Sequence, residues 1–429
     1  MQFEPHRIVV TKNADLTIRF LDISVQLLIP KPPYPFTSEF PHALPPLSID
    51  VLALVSLPEI AAHLSSGFGE KARIIDVQLA VESLEVGLVL SGGEVLVYRM
   101  ADRQGVTARQ LPDKRLVSLE HVPVADGLRF KPHFLITAES PVTAFAISDV
   151  GEHSSRTYKL FFPYVVSLGF ASVAYANGSV IVIDMRGPRV ILQVEKAQQT
   201  TNHGFLHRNS PGAHPVLSLA WAISGIKSGK FSLPLYPRSI LKCRRFVDAT
   251  PRIRLVAARA SGQVQIYILA RDDKGIWSIP SAPSEVEGVP APLNSGMFVL
   301  DVNTGEPCKA DKSHLTVALD FKPSPKAPEE GARCLLLIIG AKGARCLADF
   351  GNERVARVEW DKIGNVVRAQ VVERNGILSF DSMSFALRQS VLPGSYALVV
   401  FTDKHDGLVY SLPMLEHLHT LPLPTASSM

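Results

Sequence analysis

Apolar residues recur along this chain at every second position, in short runs that straddle a turn. SVAYANGSVIVID, residues 172–184, is the clearest case. Asn177 and Gly178 tolerate the positive φ that strand-matching hairpin turns use, and β-prone runs flank them. The pattern predicts a hairpin. Its second strand is apolar at consecutive positions from Val180 to Ile183, which predicts that both faces are covered. One hairpin cannot bury itself on two sides, so it belongs to a larger assembly of sheets.

The same arrangement recurs in NADLTIRFLD from Asn13, GGEVLVYRM from Gly92, SGQVQIYIL from Ser261, KGARCLADF from Lys342, NGILSFDSM from Asn375 and DGLVYSLPM from Asp406. Aligned on the turn, the pairs Leu16/Ile18, Val95/Val97, Val180/Val182 and Val264/Ile266 keep a period of two. A four-stranded propeller blade takes about 40 to 45 residues, so the wider gaps between turns imply inserted loops or blades with disguised turns. The fold expected is all-β, a WD-type β-propeller of seven blades, with residues 1–429 as one domain. Radial packing covers hairpins on both faces and closes sheet edges. Two stacked all-β domains are the rival arrangement. In FLD at Asp22 and VIVID at Asp184 a strand closes on aspartate, as in WD-type blades, where the carboxylate can bind turn backbone.

Three proline-rich stretches, 29–46, 279–293 and 321–331, are expected to be surface loop excursions, because proline lacks the ladder donor. PKPPYP in the first could also serve a proline-binding module. LSIDVLALVSLPEIAAHLSS, 47–66, is the one short helix expected, broken or kinked at Pro58 and covering a blade edge.

Composition adds limits. With 46% hydrophobic and 20% charged residues the 429-residue chain is globular material. A formal charge of +4, from 44 basic and 40 acidic residues, is too small to argue for nucleic acid, and none is expected as a partner. MQFEPHRIVV lacks the apolar core of a signal peptide, and the longest apolar runs are strand length, so a cytoplasmic protein without a transmembrane segment is expected. Cys243, Cys308, Cys334 and Cys346 show no CxxC pairing and read as reduced structural thiols.

Candidate chemistry is sparse. His203 and His207 stand four apart without the glutamate of a metalloprotease helix, and His417 with His419 lacks a third ligand. SGFGEKA, 66–72, lacks P-loop spacing. No catalytic residue, cofactor, metal or small-molecule substrate is expected.

The basic loop 225–248 is the candidate contact site. Lys227, Lys230, Arg238, Lys242, Arg244 and Arg245 stand there among Phe231, Leu233, Leu235, Tyr236, Ile240 and Leu241. That mixture suits an anionic membrane surface, where each basic residue contributes about 1 kcal/mol close to the headgroups. Ser228, Ser232 and Ser239 are candidate regulatory phosphosites, each phosphate adding about −1.5 to −2 charges. The alternative is a solvated insertion whose apolar side chains pack on a blade. Arg186-Gly187-Pro188 has two readings as well: a fixed exit turn, or a presentation of Arg186 and Arg189 to a partner.

The run VAYANGSVIVIDMRGPRVI resembles the second propeller of the lethal giant larvae and tomosyn family, including its fungal exocytosis regulators. Asn177, Gly178, Asp184, Arg186, Gly187 and Pro188 carry the resemblance as structural residues. SLEVGLVLSGGEVLVYRM, PRIRLVAARASGQVQIYIL, FVLDVNTGEPCKA, GARCLADFGNERVARVEW and YALVVFTDKHDGLVYSLPMLEHLHTLPLP agree in order. The resemblance implies a non-enzymatic scaffold at the cell cortex and plasma membrane. It implies binding to plasma-membrane Q-SNAREs of the SNAP type, and in fungi to a Rab-type GTPase and a myosin, regulating docking and fusion of secretory vesicles. Animal members carry a longer, serine-studded basic loop at what looks like the place of 225–248. Members usually have two propellers; this chain resembles the second alone and lacks the SNARE-like tail of tomosyns, as a fragment or a stand-alone propeller would. A generic WD-type assembly platform, a membrane-contact module unrelated to SNAREs and an enzymatic propeller are the other readings.

Overall fold

The computed structural model describes residues 8–22, 47–65, 73–80, 85–101, 110–124, 129–148, 151–152, 166–167, 169–185, 187–194, 214–224, 252–271, 276–301, 334–348, 350–351, 353–360, 363–373 and 396–422. The chain divides into two compact units, 1–142 and 143–429.

The first unit holds two antiparallel sheets. One runs β1 (Ile8–Lys12), β2 (Thr17–Asp22), β3 (Leu47–Asp50). The other contains β4 (Ile74–Ala80), β5 (Glu85–Leu90), β6 (Val95–Ala101), β7 (Leu116–Ser118) and β8 (Arg129–Ile136), ordered β4-β5-β6-β8-β7. The helix expected over 47–66 is broken before Pro58, as its proline requires, and its first four residues are strand instead. Leu47–Asp50 is strand, followed by α1 (Val51–Val55) and α2 (Pro58–Ala61). Asp50 Oδ1 caps α1 by accepting from Ala53 N at 2.9 Å. Pro58 starts α2 at the first-turn position where its missing N–H costs nothing. Val51, Leu54, Val55 and Ile60 enter the unit's core beside Ile18, Phe20 and Leu88.

The second unit repeats one plan. β9 (Val142–Ile147) is followed by the small pair β10 (Gly151–Glu152) and β11 (Val166–Ser167), then β12 (Phe170–Tyr175), β13 (Val180–Asp184) and β14 (Arg189–Val194), ordered β14-β13-β12-β9. β15 (Val216–Ser224), β16 (Arg252–Arg259) and β17 (Gln263–Arg271) form the next sheet, completed by β18 (Trp277–Ser278) and β19 (Ser284–Glu287), both on β17. β20 (Pro292–Asp301), β21 (Cys334–Gly340), β22 (Gly343–Ala348) and β23 (Arg354–Glu359) make a third sheet. β24 (Val366–Glu373), β25 (Tyr396–Thr402), β26 (Asp406–Ser411) and β27 (His417–Pro422) make the fourth. Each is an up-and-down meander, the unit of a propeller blade, and the fold is all-β as the pattern predicts.

The expectation for 279–293 is corrected: β19 lies inside it and β20 begins at Pro292. The prolines flank an outer strand, where a missing ladder donor is tolerated. The excursions 29–46 and 321–331 lie outside the described residues.

The middle strands are buried on both faces. In β16, Leu255 and Ala257 join a cluster with Phe170 and Val182, while Val256 and Ala258 turn the other way onto Leu336 and Ile338. Leu337 and Ile339 of β21 then meet Leu398 and Tyr410. Sheets therefore stack through alternating side chains, each fully buried apolar residue contributing about 1.5–3 kcal/mol.

Adjacent first strands of the second unit are tied at their starts. Thr143 Oγ1 donates to Val216 O at 2.6 Å, and Ser218 Oγ donates to Asn294 O at 3.0 Å. Ala291 N donates to Ala260 O at 3.1 Å and Val366 N to Ala341 O at 2.9 Å, both starts meeting the preceding sheet's turn. The first strands thus run side by side in one direction. The long connections that leave their far ends, before β12, β16, β21 and β25, emerge at one end of the unit.

The turns expected at Asn13, Gly92, Asn177, Ser261 and Lys342 join neighbouring strands; the one expected at Asp406-Gly407 lies earlier, between Thr402 and Asp406, with both residues inside β26, and Asn375 lies outside the described residues. Their chemistry differs from the two-residue Asn-Gly turn. Tyr175 N donates to Ser179 O at 3.0 Å and Gly178 N to Tyr175 O at 2.9 Å, so the loop has three residues and only Gly178 has positive φ, +85°. Asn177 is useful as an acceptor: its Oδ1 takes Ser179 N at 2.9 Å and Ser179 Oγ at 2.7 Å. Asp15 does the same with Thr17 N at 3.0 Å and Oγ1 at 2.6 Å, and these bonds lower its pKa. The left-handed position is filled by Gly93, Gly178 and Gly262, but by Leu16 (φ 62°) and His405 (φ 63°) in two hairpins.

Arg259, at the start of the Ser261 turn, is buried at 1% exposure. Its Nε and Nη2 donate to Gln265 Oε1 at 3.0 and 2.9 Å, and Nη1 donates to His214 O at 2.7 Å. Tyr267 Oη also donates to Gln265 Oε1, at 3.1 Å. Burial raises the Tyr267 pKa, with Arg259 opposing it.

Two substitutions test this account. His405→Gly is expected to raise stability by up to about 1 kcal/mol, because an exposed non-glycine residue leaves the left-handed region. Gln265→Ala is expected to lower it by about 3 kcal/mol, by stripping a buried guanidinium of its acceptor. Denaturant unfolding midpoints check both.

Candidate functional site

The hairpin that carries the family resemblance is fixed from both ends. Asp184 closes β13 at 6% exposure, with Arg189 Nε 3.9 Å from its Oδ2. Arg189 Nη2 donates to Trp277 O at 2.8 Å, tying β14 to the next sheet. Met185 N donates to Gly169 O at 2.9 Å. Arg189 is thus used internally, which favours the exit-turn reading over display to a partner; Arg186 lies outside the described residues. Pro188 is buried. A Cβ at Gly187 would meet nothing within 4 Å, so crowding does not require glycine there.

Aromatic packing supports this hairpin. Phe170 stacks on Trp221 at 5.5 Å and 25° and meets Trp277 edge-on at 5.5 Å and 85°. Trp221 Nε1 and Ser172 Oγ both donate to Ala146 O, at 3.2 Å each. Sequence reasoning missed this cluster, because its members sit on strands of two sheets and share no local spacing. The only local hint is that Trp221 continues the alternating apolar positions Leu217 and Leu219.

The basic loop is anchored where β15 and β16 end. Ser224 pairs with Arg252, so the insertion leaves and re-enters at one point. Arg254, two residues into β16, lies with its guanidinium 4.8 Å from the Phe350 ring centroid. Lys227, Lys230, Arg238, Lys242, Arg244, Arg245, Ser228, Ser232 and Ser239 lie outside the described residues. Their attachment point is known: it shares one end of the unit with the other long connections. Residues 302–333 carry five basic and five acidic residues, 149–169 two of each, and 374–395 two basic and one acidic. Residues 225–251 carry six basic residues and one acidic, so the charge imbalance at this end comes from a single insertion.

Among the described residues no group of three or more His, Cys, Asp or Glu could hold a metal. His417 meets Thr420 Oγ1 at 3.0 Å and the Tyr410 ring edge-on at 5.5 Å, while His203 and His207 lie outside the described residues. Cys346 is free and buried, and burial pushes its thiol up to about 12, far from a nucleophile at neutral pH. Arg259 is held internally by Gln265 and His214 O. No described helix is long and apolar enough to cross a membrane.

Comparison with known proteins gives one informative match. No curated protein sequence matches the chain. A solved structure, the crystal structure of BBS1N in complex with ARL6DN soaked with lead, is similar over 84% of each chain at 9% identity. Its TM-score of 0.31 carries no argument. The family model described as lethal giant larvae (Lgl) like, C-terminal, matches residues 71–429, from β4 to the end of the chain. With the hairpin residues and the repeated four-stranded sheets already in place, this match over most of its length means that the chain belongs to the lethal giant larvae-like family.

Proposed function

We propose that this protein is a scaffold that regulates SNARE-dependent polarised exocytosis by binding a SNAP-type Q-SNARE and a Rab-type GTPase at the plasma membrane. Membership of the lethal giant larvae-like family supports a regulatory role in polarity and exocytosis in general. The family match over 71–429 is the observation that carries the reading. The finer assignment adds the partners that the family resemblance implies, a myosin among them in fungi.

Within this reading the basic insertion 225–248 is the cortical contact. Six basic residues in one connection, where three others are neutral or nearly so, would supply several kcal/mol toward an anionic leaflet at about 1 kcal/mol each. Serines interspersed among them give a means of release, since phosphates at Ser228, Ser232 and Ser239 would nearly cancel the charge.

Calorimetry of residues 1–429 against the SNAP-type Q-SNARE motif tests the partner: micromolar or tighter binding is expected, and no binding by a folded sample counts against it. Liposome co-sedimentation tests the cortical contact. Binding to vesicles with 30% phosphatidylserine, on the order expected for a polybasic segment, should fall with salt and drop at least tenfold in Lys242→Glu/Arg244→Glu/Arg245→Glu. Equal binding by that variant would remove the insertion from the membrane contact.

A further inference from the structure

The turn of the hairpin that carries the family resemblance holds a reactive pair. Asn177 precedes Gly178, and an asparagine before a glycine is the sequence most open to attack by its own backbone, since no side chain shields the next amide nitrogen. In that reaction the Gly178 nitrogen, having lost its proton to base, forms a bond to Asn177 Cγ. The Cγ–Nδ2 bond breaks, and ammonia leaves with a proton from solvent. The resulting succinimide takes up water at either carbonyl. Opening at one gives aspartate; opening at the other gives isoaspartate, whose main chain runs through the former side-chain carbons.

The structure holds both reacting groups out of position. Gly178 N, the nucleophile, donates to Tyr175 O at 2.9 Å. Asn177 Oδ1, on the carbon to be attacked, accepts from Ser179 N at 2.9 Å and from Ser179 Oγ at 2.7 Å. The Gly178 bond closes a β-turn from Tyr175 with Ala176 and Asn177 at its centre, neither of which has positive φ. That combination is a type I turn, with a ψ of about 0° at Asn177. The imide ring closes only when rotation about the Asn177 Cα–C bond carries Gly178 N over to the side-chain branch, and that rotation takes its N–H off Tyr175 O. The flanking strands oppose it: β12 and β13 are buried throughout, and Tyr175 N donates to Ser179 O at 3.0 Å across the loop.

The hairpin of β1 and β2 shows what each product would do there. Its loop has the same backbone bonds, Asn13 N to Thr17 O at 2.9 Å and Leu16 N to Asn13 O at 3.2 Å. At the place of Asn177 it carries Asp15, whose Oδ1 accepts from Thr17 N at 3.0 Å and from Thr17 Oγ1 at 2.6 Å. An aspartate at position 177 therefore fits the turn as built. An isoaspartate does not, because it adds one carbon to the main chain of the loop and turns the carbonyl that Ser179 binds into main chain.

We propose that Asn177-Gly178 is a latent deamidation site, closed while the hairpin is formed and reactive when it opens, with Ser179 holding the asparagine out of reaction. Water is the sole co-reactant. The same hairpin ends at Asp184, beside Arg189, whose Nη2 ties β14 to the next sheet through Trp277 O. Isoaspartate at 177 would thus disturb a hairpin on which that tie depends.

Peptide mapping by mass spectrometry tests this on the full chain, incubated at neutral pH folded and in denaturant, with aspartate and isoaspartate at position 177 resolved by elution and fragmentation. Deamidation of Asn177 is expected to be at least about tenfold slower in the folded chain, because reaction waits on local opening. Ser179→Ala removes one of the two donors to Oδ1 and should raise the folded-chain rate about threefold or more, the effect of losing one hydrogen bond. Ser179→Thr should leave the rate unchanged, since Thr17 makes the same bonds in the other hairpin. Asn177→Asp is expected to fold and to unfold at the midpoint of the unaltered chain. The comparison of folded with denatured chain needs no variant, so it stands should Ser179→Ala misfold. Equal rates in the two states, a folded Ser179→Ala chain that deamidates no faster, or an Asn177→Asp chain that fails to fold would each overturn the proposal.

Discussion

Two-sided burial of the middle strands is the constraint on which the rest depends. A strand such as β13, apolar at Val180, Ile181, Val182 and Ile183 and buried throughout, cannot sit on the surface of anything. It needs a sheet on each side, and those sheets need the same. The answer in the second unit is serial: alternate residues of β16 feed one cluster, the others feed the next, and the pattern continues through β21 to β25. Arg259, buried inside the stack, is held by Gln265 Oε1 and His214 O. A stack built this way tolerates variation only where strands end.

Much of this plan is legible in the chain, because hairpin turns and period-two patterning are local signals. The turns expected from Asn13 to Lys342 all join adjacent strands. What was hidden is non-local or concerns backbone detail. Register shifts occur at Ile74/Asp76, Val216/Ser218 and Val366/Arg368 in first strands, and at Val97/Tyr98, Val182/Ile183 and Val409/Tyr410 toward the fourth. No residue type announces them, since a bulge answers the twist of a whole sheet. The left-handed Leu16 and His405 were invisible for the opposite reason: a turn preference was overruled by a framework that fixes the hairpin elsewhere. Composition also misled at 284–287, where prolines on both sides made an outer strand look like a loop.

The candidate site was legible in charge and illegible in shape. Six basic residues within 225–251 stand out in any reading of the sequence, yet nothing in them says where the insertion attaches. That follows from Thr143, Ser218 and the turn amides, which hold the starts of neighbouring first strands together and so gather the connections at the opposite end. Hydroxyl contacts between neighbouring first strands thereby help to fix the end of the unit from which those strands' connections leave.

Function in such a protein has to lie at the margins of the repeat. Inside the stack the sheets present the same chemistry, apolar faces packed on apolar faces, and one sheet offers little that its neighbour does not. Distinctiveness begins where the repeat is broken, as by a connection whose charge is unbalanced. The basic insertion breaks it by composition, since the connections at the same end are close to neutral. A charge imbalance confined to a connection between strands leaves the apolar packing of the strands themselves, and so the fold, to the repeated pattern.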